Sequence, residues 1–442
     1  MIPSLQQTLK MSLAVVCLGA SLAFSLECTA GEKIQQSSLP ATPTQPLTLS
    51  EAETAALTNN PSLAELQARI ASSRALSIQA GELPDPKLGL GLVNVPAETF
   101  RLDDEPMTQI LVGLSQTFPY PGTLDLRQEL ELNRSRYLSW EKKALRAELT
   151  RQVRRTWLEG FLQDRALEVI EENLSLFQEL LTIARNQYSV GQGLQQDILL
   201  AQLERDRLLD DRARFREARE RTDSRLAELM AAKQSGYHLP ETLPELPLPP
   251  SQQRMLAQLK KHPLIQAEQS RVERQKTAAD LARKEYYPDF GLEVSYGHRR
   301  AEEPDGDRRS DFVSARLRVD LPVFPQNRQD QRLEAARQEA IAAERKRDSL
   351  RLSLTRRIRE QWSALKRTRQ RAELFDEVII PESEQTVQAD TAAYMTGKLG
   401  FLELVRARLR TFEHQLSLWR LRIQAKQARA DLLFLAQGGD ES

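Results

Sequence analysis

The residues best placed to act on a solute stand in two matching stretches. One reads Tyr188-Ser-Val-Gly191-Gln-Gly193-Leu-Gln-Gln-Asp197, the other Tyr394-Met-Thr-Gly397-Lys-Leu-Gly400-Phe-Leu-Glu403. In each, an aromatic residue closes an amphipathic helical pattern and a glycine three residues on permits a turn. A carboxylate six residues beyond that glycine then falls in the first turn of the next helix, where water and the helix dipole stabilise it. Bond-breaking chemistry has no such nucleus. The four histidines (His238, His262, His298, His414) are scattered, with no His-x-x-x-His or Glu-x-x-His pair to hold a metal. There is no Gly-x-Ser-x-Gly, no Walker A sequence and no Gly-x-Gly-x-x-Gly opening a helix. The abundant carboxylates share helix faces with arginine and read as solvated ion pairs. Neither an enzyme nor a cofactor is expected.

The two stretches are one stretch repeated at a spacing of 206 residues. Asn60-Pro61 likewise matches His262-Pro263 at 202, Pro84-Asp85 matches Pro288-Asp289 at 204, Phe118-Pro119 matches Leu321-Pro322 at 203, and Trp157 matches Trp362 at 205. So small a drift over five landmarks marks an internal duplication. It divides the chain into a first repeat at 50–234, a proline-rich linker at 235–250 and a second repeat at 251–436, followed by a short tail at 437–442.

Lys plus Arg and Asp plus Glu both number 62, so no basic surplus points to a nucleic-acid partner. Lys10, an apolar run from Met11 to about Leu26 and then Cys28-Thr-Ala30 read as a secretory signal over residues 1–30, cleaved after Ala30. Both cysteines, Cys17 and Cys28, would leave with it. The alternative is a lipoprotein signal with Cys28 lipidated, to which Glu27 is a poor fit. Residues 31–49 are polar and read as a flexible leader. Past the signal no run of 18 apolar residues offers a spanning helix.

The elements that position the two turns follow from periodicity. Ser50 with Glu53 reads as a capping box opening a helix that ends near Gly81, with a kink or break at Asn60-Pro61. Period-2 alternation then predicts strands near 87–95 and 107–118, and again near 289–298 and 311–321, with one apolar face and one polar or charged. Pro119 and Pro121 end the second strand, as Pro322 and Pro325 end the fourth, because proline cannot donate a ladder hydrogen bond. From Thr123 to Tyr188 there is no proline and apolar residues recur at three- and four-residue steps, from Val153, Trp157 and Phe161 to Leu181 and Ala184. At 1.5 Å per residue such a helix extends about 100 Å. A return helix runs through Leu199, Leu203, Leu208 and Phe215 to about Lys233. The second repeat reruns the plan: a helix over about 252–287, a long helix from about Gln326 interrupted at Pro381, and a final helix to about Ala436. Four strands alternating over about ten residues suit an outer-membrane barrel, but single-chain barrels begin at eight strands. Closure would need more than one chain.

Signal, helix, two strands, long helix, glycine turn and helix, all duplicated, resemble the outer-membrane efflux protein family typified by TolC. The Tyr-x-x-Gly turns followed by Asp197 and Glu403 are the most specific element. The resemblance implies a mainly α fold with a small membrane β part, in which three chains combine into a twelve-stranded barrel and a long α-helical periplasmic tunnel. It implies a passive exit duct of a tripartite efflux pump or type I secretion system. Its partners would be a periplasmic adaptor (membrane fusion) protein, an inner-membrane transporter and outer-membrane lipid. It further implies that Tyr188, Gly191, Gly193, Asp197, Tyr394, Gly397, Gly400 and Glu403 form the periplasmic aperture and adaptor-docking turns, with the two carboxylates repeated as rings of three. Arg406 departs from the family pattern, since some members carry a second acidic residue there. The segment Ser115 to Gly122 looks like that of members serving heavy-metal pumps. The competing reading is a periplasmic coiled-coil structural or adaptor protein whose strands form a small soluble subdomain.

Overall fold

The computed structural model describes residues 46–233 and 235–437, which belong to one unit. The signal at 1–30, most of the leader and residues 438–442 of the tail lie outside the described residues.

Thr48 opens the first helix, α1 (Leu49–Asn59), through a capping box with Glu51. This corrects the Ser50 and Glu53 assignment: Glu53 is occupied elsewhere, accepting from Arg154 at 2.7 Å. Asn60 ends α1, and its side chain caps α2 (Pro61–Gly81) by accepting from Ser62 N–H at 3.0 Å. Strands β1 (Lys87–Val93) and β2 (Gln109–Phe118) follow, then the 67-residue α3 (Thr123–Ser189) and its return partner α4 (Gln195–Met230). The second half repeats this order with α5 (Gln252–Gln258), a 3-10 turn at Leu259–Lys261, α6 (Pro263–Lys284), β3 (Asp289–Arg299), β4 (Phe312–Asp320) and α7 (Gln329–Leu374). A π segment at Phe375–Ile379 leads into α8 (Ile380–Met395), and α9 (Phe401–Leu435) closes the described chain.

Two helices expected to be single or simply interrupted differ. The helix expected over 252–287 breaks at His262-Pro263, because proline cannot continue the hydrogen-bond ladder and suits the first position of a new helix. At Pro381 the helix is not broken but widened into the π segment.

The strands form one antiparallel sheet in the order β1-β2-β3-β4. The central pairing, β2 with β3, joins the two repeats over ten residue pairs from Gln109↔Arg299 to Phe118↔Phe290.

The helical body has three main cores. Around Trp157, the residues Val153, Phe161, Leu226 and Met230 meet α1 and the linker. Toward the turns Ile170, Phe177, Leu181, Leu208, Leu404 and Phe412 pack together, and in the second repeat Met255, Leu354, Ile358 and Leu432 do so. Leu199 and Leu203 lie exposed on α4, as does Leu374 at the end of α7. Within one chain these three have no core to enter.

The break at His262 is an exact analogue of Asn60 in function. His262 is 1% exposed, its Nδ1 accepts from Leu264 N–H at 3.3 Å, and its Nε2 lies 3.2 Å from the Phe434 carbonyl. A carbonyl can only accept, so the ring is neutral with its proton on Nε2. Burial takes its pKa down to about 4, aided by the Arg357 cation and opposed by the Phe434 hydrogen bond. The unfolded ring, with a pKa near 6.5, takes up a proton first as pH falls. The native fold therefore holds its full advantage above about pH 6.5 and loses about 3 kcal/mol between there and about pH 4. We expect the chemical-denaturation midpoint of the detergent-extracted protein to fall steeply across that window. His262→Asn, which copies Asn60, should flatten the fall; equal slopes in both proteins would refute the assignment.

Candidate functional site

The first turn is built by backbone geometry. Gly191 adopts φ 76°, a left-handed conformation open to glycine at little cost, and Gln192 and Gly193 N–H both donate to the Gln187 carbonyl at 2.9 and 3.0 Å. A Cβ on Gly193 would sit 2.9 Å from Tyr188 N, so that residue is fixed by space. Asp197 then accepts from Leu194 N–H at 3.3 Å, satisfying a donor at the α4 N-terminus. The second turn matches it. Gly397 has φ 69°, Gly397 N–H donates to the Tyr394 carbonyl at 2.9 Å, and Lys398 N–H donates to the Ala393 carbonyl at 2.9 Å. Gly400 is the N-cap of α9, and Glu403 pairs with Arg406 at 2.8 Å on an exposed surface.

The fold brings parts of these two turns together. Tyr394 packs on Phe401 with ring centroids 5.3 Å apart, and its hydroxyl is buried without a hydrogen-bond partner. Burial raises its pKa and the charge of Asp197 from the other turn raises it further. Tyr188, by contrast, is exposed. The duplicated aromatics thus occupy different environments.

At the other end of the long helices, the strand-to-helix junctions also differ. Between Pro119 and Pro121, Tyr120 stacks on Tyr287 at 4.3 Å, its N–H donates to Asp289 at 2.8 Å, and Lys284 donates to the Pro121 carbonyl at 3.1 Å. Gly122, at φ 81°, starts α3. Around Pro322 and Pro325 the residues Leu321, Val323 and Phe324 are exposed, while Tyr286 hydrogen-bonds Asp330. Sequence reasoning missed Asp289 and Lys284 as the first junction's anchors. The repeated Pro-Asp dipeptide was the signal available.

The sheet carries the most informative surface. Its register aligns Leu88, Leu90 and Leu92 with Leu114, Val112 and Ile110, and then Leu114 and Val112 with Val294 and Tyr296. Leu292, Val294 and Tyr296 in turn face Leu317, Ala315 and Val313. One face is therefore apolar across all four strands, and it is open: Leu90 is 74% exposed and Val313 75%. The opposite face presents Gly89, Gly113, Ser115, Glu293, Ser314, Arg316 and Arg318. Exposed apolar area of this extent needs an apolar neighbour. Among the described residues no helix is long and apolar enough to cross a membrane, and no group of three or more His, Cys, Asp or Glu could hold a metal ion.

Residues 257–437, most of the second repeat, match the family model described as outer membrane efflux protein. That stretch belongs to the outer membrane efflux protein family. Its sequence is 24% identical over 387 residues to the cobalt-zinc-cadmium resistance protein CzcC of Cupriavidus metallidurans, covering 83% of this chain and 84% of that one. Its fold is similar to that of the outer membrane protein VceC from Vibrio cholerae, with a TM-score of 0.74 at 17% identity over 89% of this chain and 97% of that one. It is similar also to the open state of the MtrE outer membrane channel of Neisseria gonorrhoeae, with a TM-score of 0.73 at 18% identity over 88% and 89%. This efflux protein is thus an outer-membrane channel with a helical periplasmic extension, and a transport protein rather than an enzyme. The apolar sheet face has the character of a lipid-facing barrel surface, and the opposite face that of a wet lumen.

Proposed function

We propose that three copies of this chain form the exit duct of a tripartite efflux system, conducting what an inner-membrane transporter and a periplasmic adaptor deliver. The observation that carries the reading is the sheet: its apolar face is open and its two outer strands, β1 and β4, each have only one hydrogen-bonded neighbour. In lipid an unpaired strand edge leaves polar backbone groups without partners, at several kcal/mol each. Pairing β4 of one copy with β1 of the next removes every edge, and three copies give twelve strands. Exposed Leu199, Leu203 and Leu374 on the helices would be covered in the same assembly. Electron microscopy of the detergent-extracted protein tests this; a threefold particle is expected, and a monomer that needs no detergent would overturn it.

In that assembly the turns at Tyr188–Asp197 and Tyr394–Glu403 form the periplasmic aperture and meet the adaptor. Glu403 is neutralised by Arg406, which leaves Asp197 as the ring of three that acts on ions. Asp197→Asn retains an oxygen to accept from Leu194 N–H while removing the charge. We expect it to reduce cation preference, read as a shift of reversal potential toward zero in a salt gradient across a planar bilayer. An unchanged reversal potential would place Asp197 off the ion path. The name of the relative CzcC makes divalent cobalt, zinc or cadmium the cargo to test first.

A further inference from the structure

The polar face of the sheet concentrates its charge at the end nearest the helices. Strand pairing aligns Lys87 with Ser115, Ser115 with Glu293 and Glu293 with Arg316, while Arg318 stands one row closer to the helices, opposite Gly291. Three cations thus surround one carboxylate, an excess of two charges in each copy. The next rows on this face carry Gly89, Gly113, Ser295 and Ser314, then Gly91 and Gly297, and offer no carboxylate to answer that excess.

Glu293 holds only Arg316, at 3.4 Å, and that arginine side chain is still 70% exposed. Among the described residues Lys87 and Arg318 have no ion pair and no side-chain hydrogen bond. The remaining acids of this face, Asp289 and Asp320, oppose each other at the strand ends, and Asp289 already accepts from Tyr120 N–H at 2.8 Å. The remaining cation, Arg299, is engaged at the far end, donating to the Ser310 carbonyl at 2.7 Å with its guanidinium 4.0 Å from the Phe312 ring centre. Further copies of the chain leave this balance as it is. The strand that a neighbour would pair with β4 is β1, whose one charged residue is Lys87, so whatever the register it brings another cation and no carboxylate.

We propose that Lys87, Arg316 and Arg318 form a basic belt inside the barrel that holds small polyvalent anions, carboxylates or phosphates, as they pass through the duct. This rests on the reading of the sheet as one third of a closed barrel. A guanidinium offers paired N–H donors that match two oxygens of such an anion. A lumen wall of one sign also raises the local concentration of its counter-ions. The belt is opposite in charge to Asp197 at the turns. A cation that the turns admit therefore meets a barrier in the barrel, which an anion held on the belt removes.

The test is block of single-channel conductance by citrate, with the full extracted protein in a planar bilayer at about 0.01 M KCl, where charges act over ~30 Å. Citrate should block the unaltered channel. Arg316→Gln with Arg318→Gln should raise the half-blocking concentration at least ~10-fold, as loss of charge-assisted hydrogen bonds implies. Arg318→Lys should retain the block, and Glu293→Gln, which removes the belt's one carboxylate, should strengthen it. Conductance before citrate is added shows that each variant has assembled. Equal block in the unaltered and double-glutamine channels would overturn the belt, as would weaker block in Glu293→Gln, and either result leaves the channel reading intact. No conductance from the unaltered protein would overturn the closed barrel itself, and the belt with it.

Discussion

Leu317→Arg should abolish stable insertion in the outer membrane, whereas Ser314→Arg, three residues earlier on the same strand, should be tolerated. Leu317 is 67% exposed on the apolar face, and Ser314 lies on the face that already carries Arg316 and Arg318. A cationic side chain facing lipid near the midplane of a barrel costs about 2–4 kcal/mol, and less near the interfaces. In a threefold assembly that cost recurs in every copy. The measurement is the fraction of heat-resistant oligomer recovered from the outer-membrane fraction for each variant beside the unaltered chain. Equal recovery of the two variants would mean that the sheet does not separate lipid from water. The comparison also bears on the soluble-subdomain alternative, in which Leu317 would face a protein neighbour and both substitutions would act through that contact.

Trp157→Ala should cost about 3–5 kcal/mol, the range for removing a buried aromatic side chain. Trp157 is 1% exposed, stacks on Phe161 with centroids 5.7 Å apart, and donates from Nε1 to the Leu47 carbonyl at 3.0 Å. Its loss opens a cavity where α1, α3, α4 and the linker converge, and orphans a carbonyl in the segment that enters α1. Trp362 is the duplicate, yet it is only half-buried and its Nε1 meets Met255 Sδ at 3.3 Å. Trp362→Ala should therefore cost clearly less. Denaturation midpoints of the two variants, followed by far-UV circular dichroism in detergent, decide the matter. A Trp362 effect as large as that of Trp157 would show that the repeats contribute equally to the core, against the packing described.

The duplicated turns were legible because their geometry is local. A left-handed glycine at Gly191 and Gly397, a carboxylate three residues inside the next helix, and proline at the strand ends act over a few residues, and residue type alone imposes them. Strand faces were legible for the same reason, since alternation of two fixes which side chains share a side. Three features were not. The first cap fell on Thr48 rather than Ser50 because a distant arginine, Arg154, engages Glu53. The π segment had only Pro381 and a one-residue drift to announce it. Tyr188 and Tyr394 look equivalent in sequence, yet only Tyr394 is packed against Phe401 and near Asp197 of the other turn.

What the sequence determined by itself was therefore the plan: two repeats, four strands with one apolar face, long helices and the places where they turn. Each of these depends on residues within a turn or a strand of one another. Only the tertiary structure decided which elements meet: that β2 pairs with β3 across the repeats and that β1 and β4 are left with open edges. Those outcomes depend on contacts between residues far apart in the chain, whose energies compete with one another in the folded state and leave no periodic trace along it.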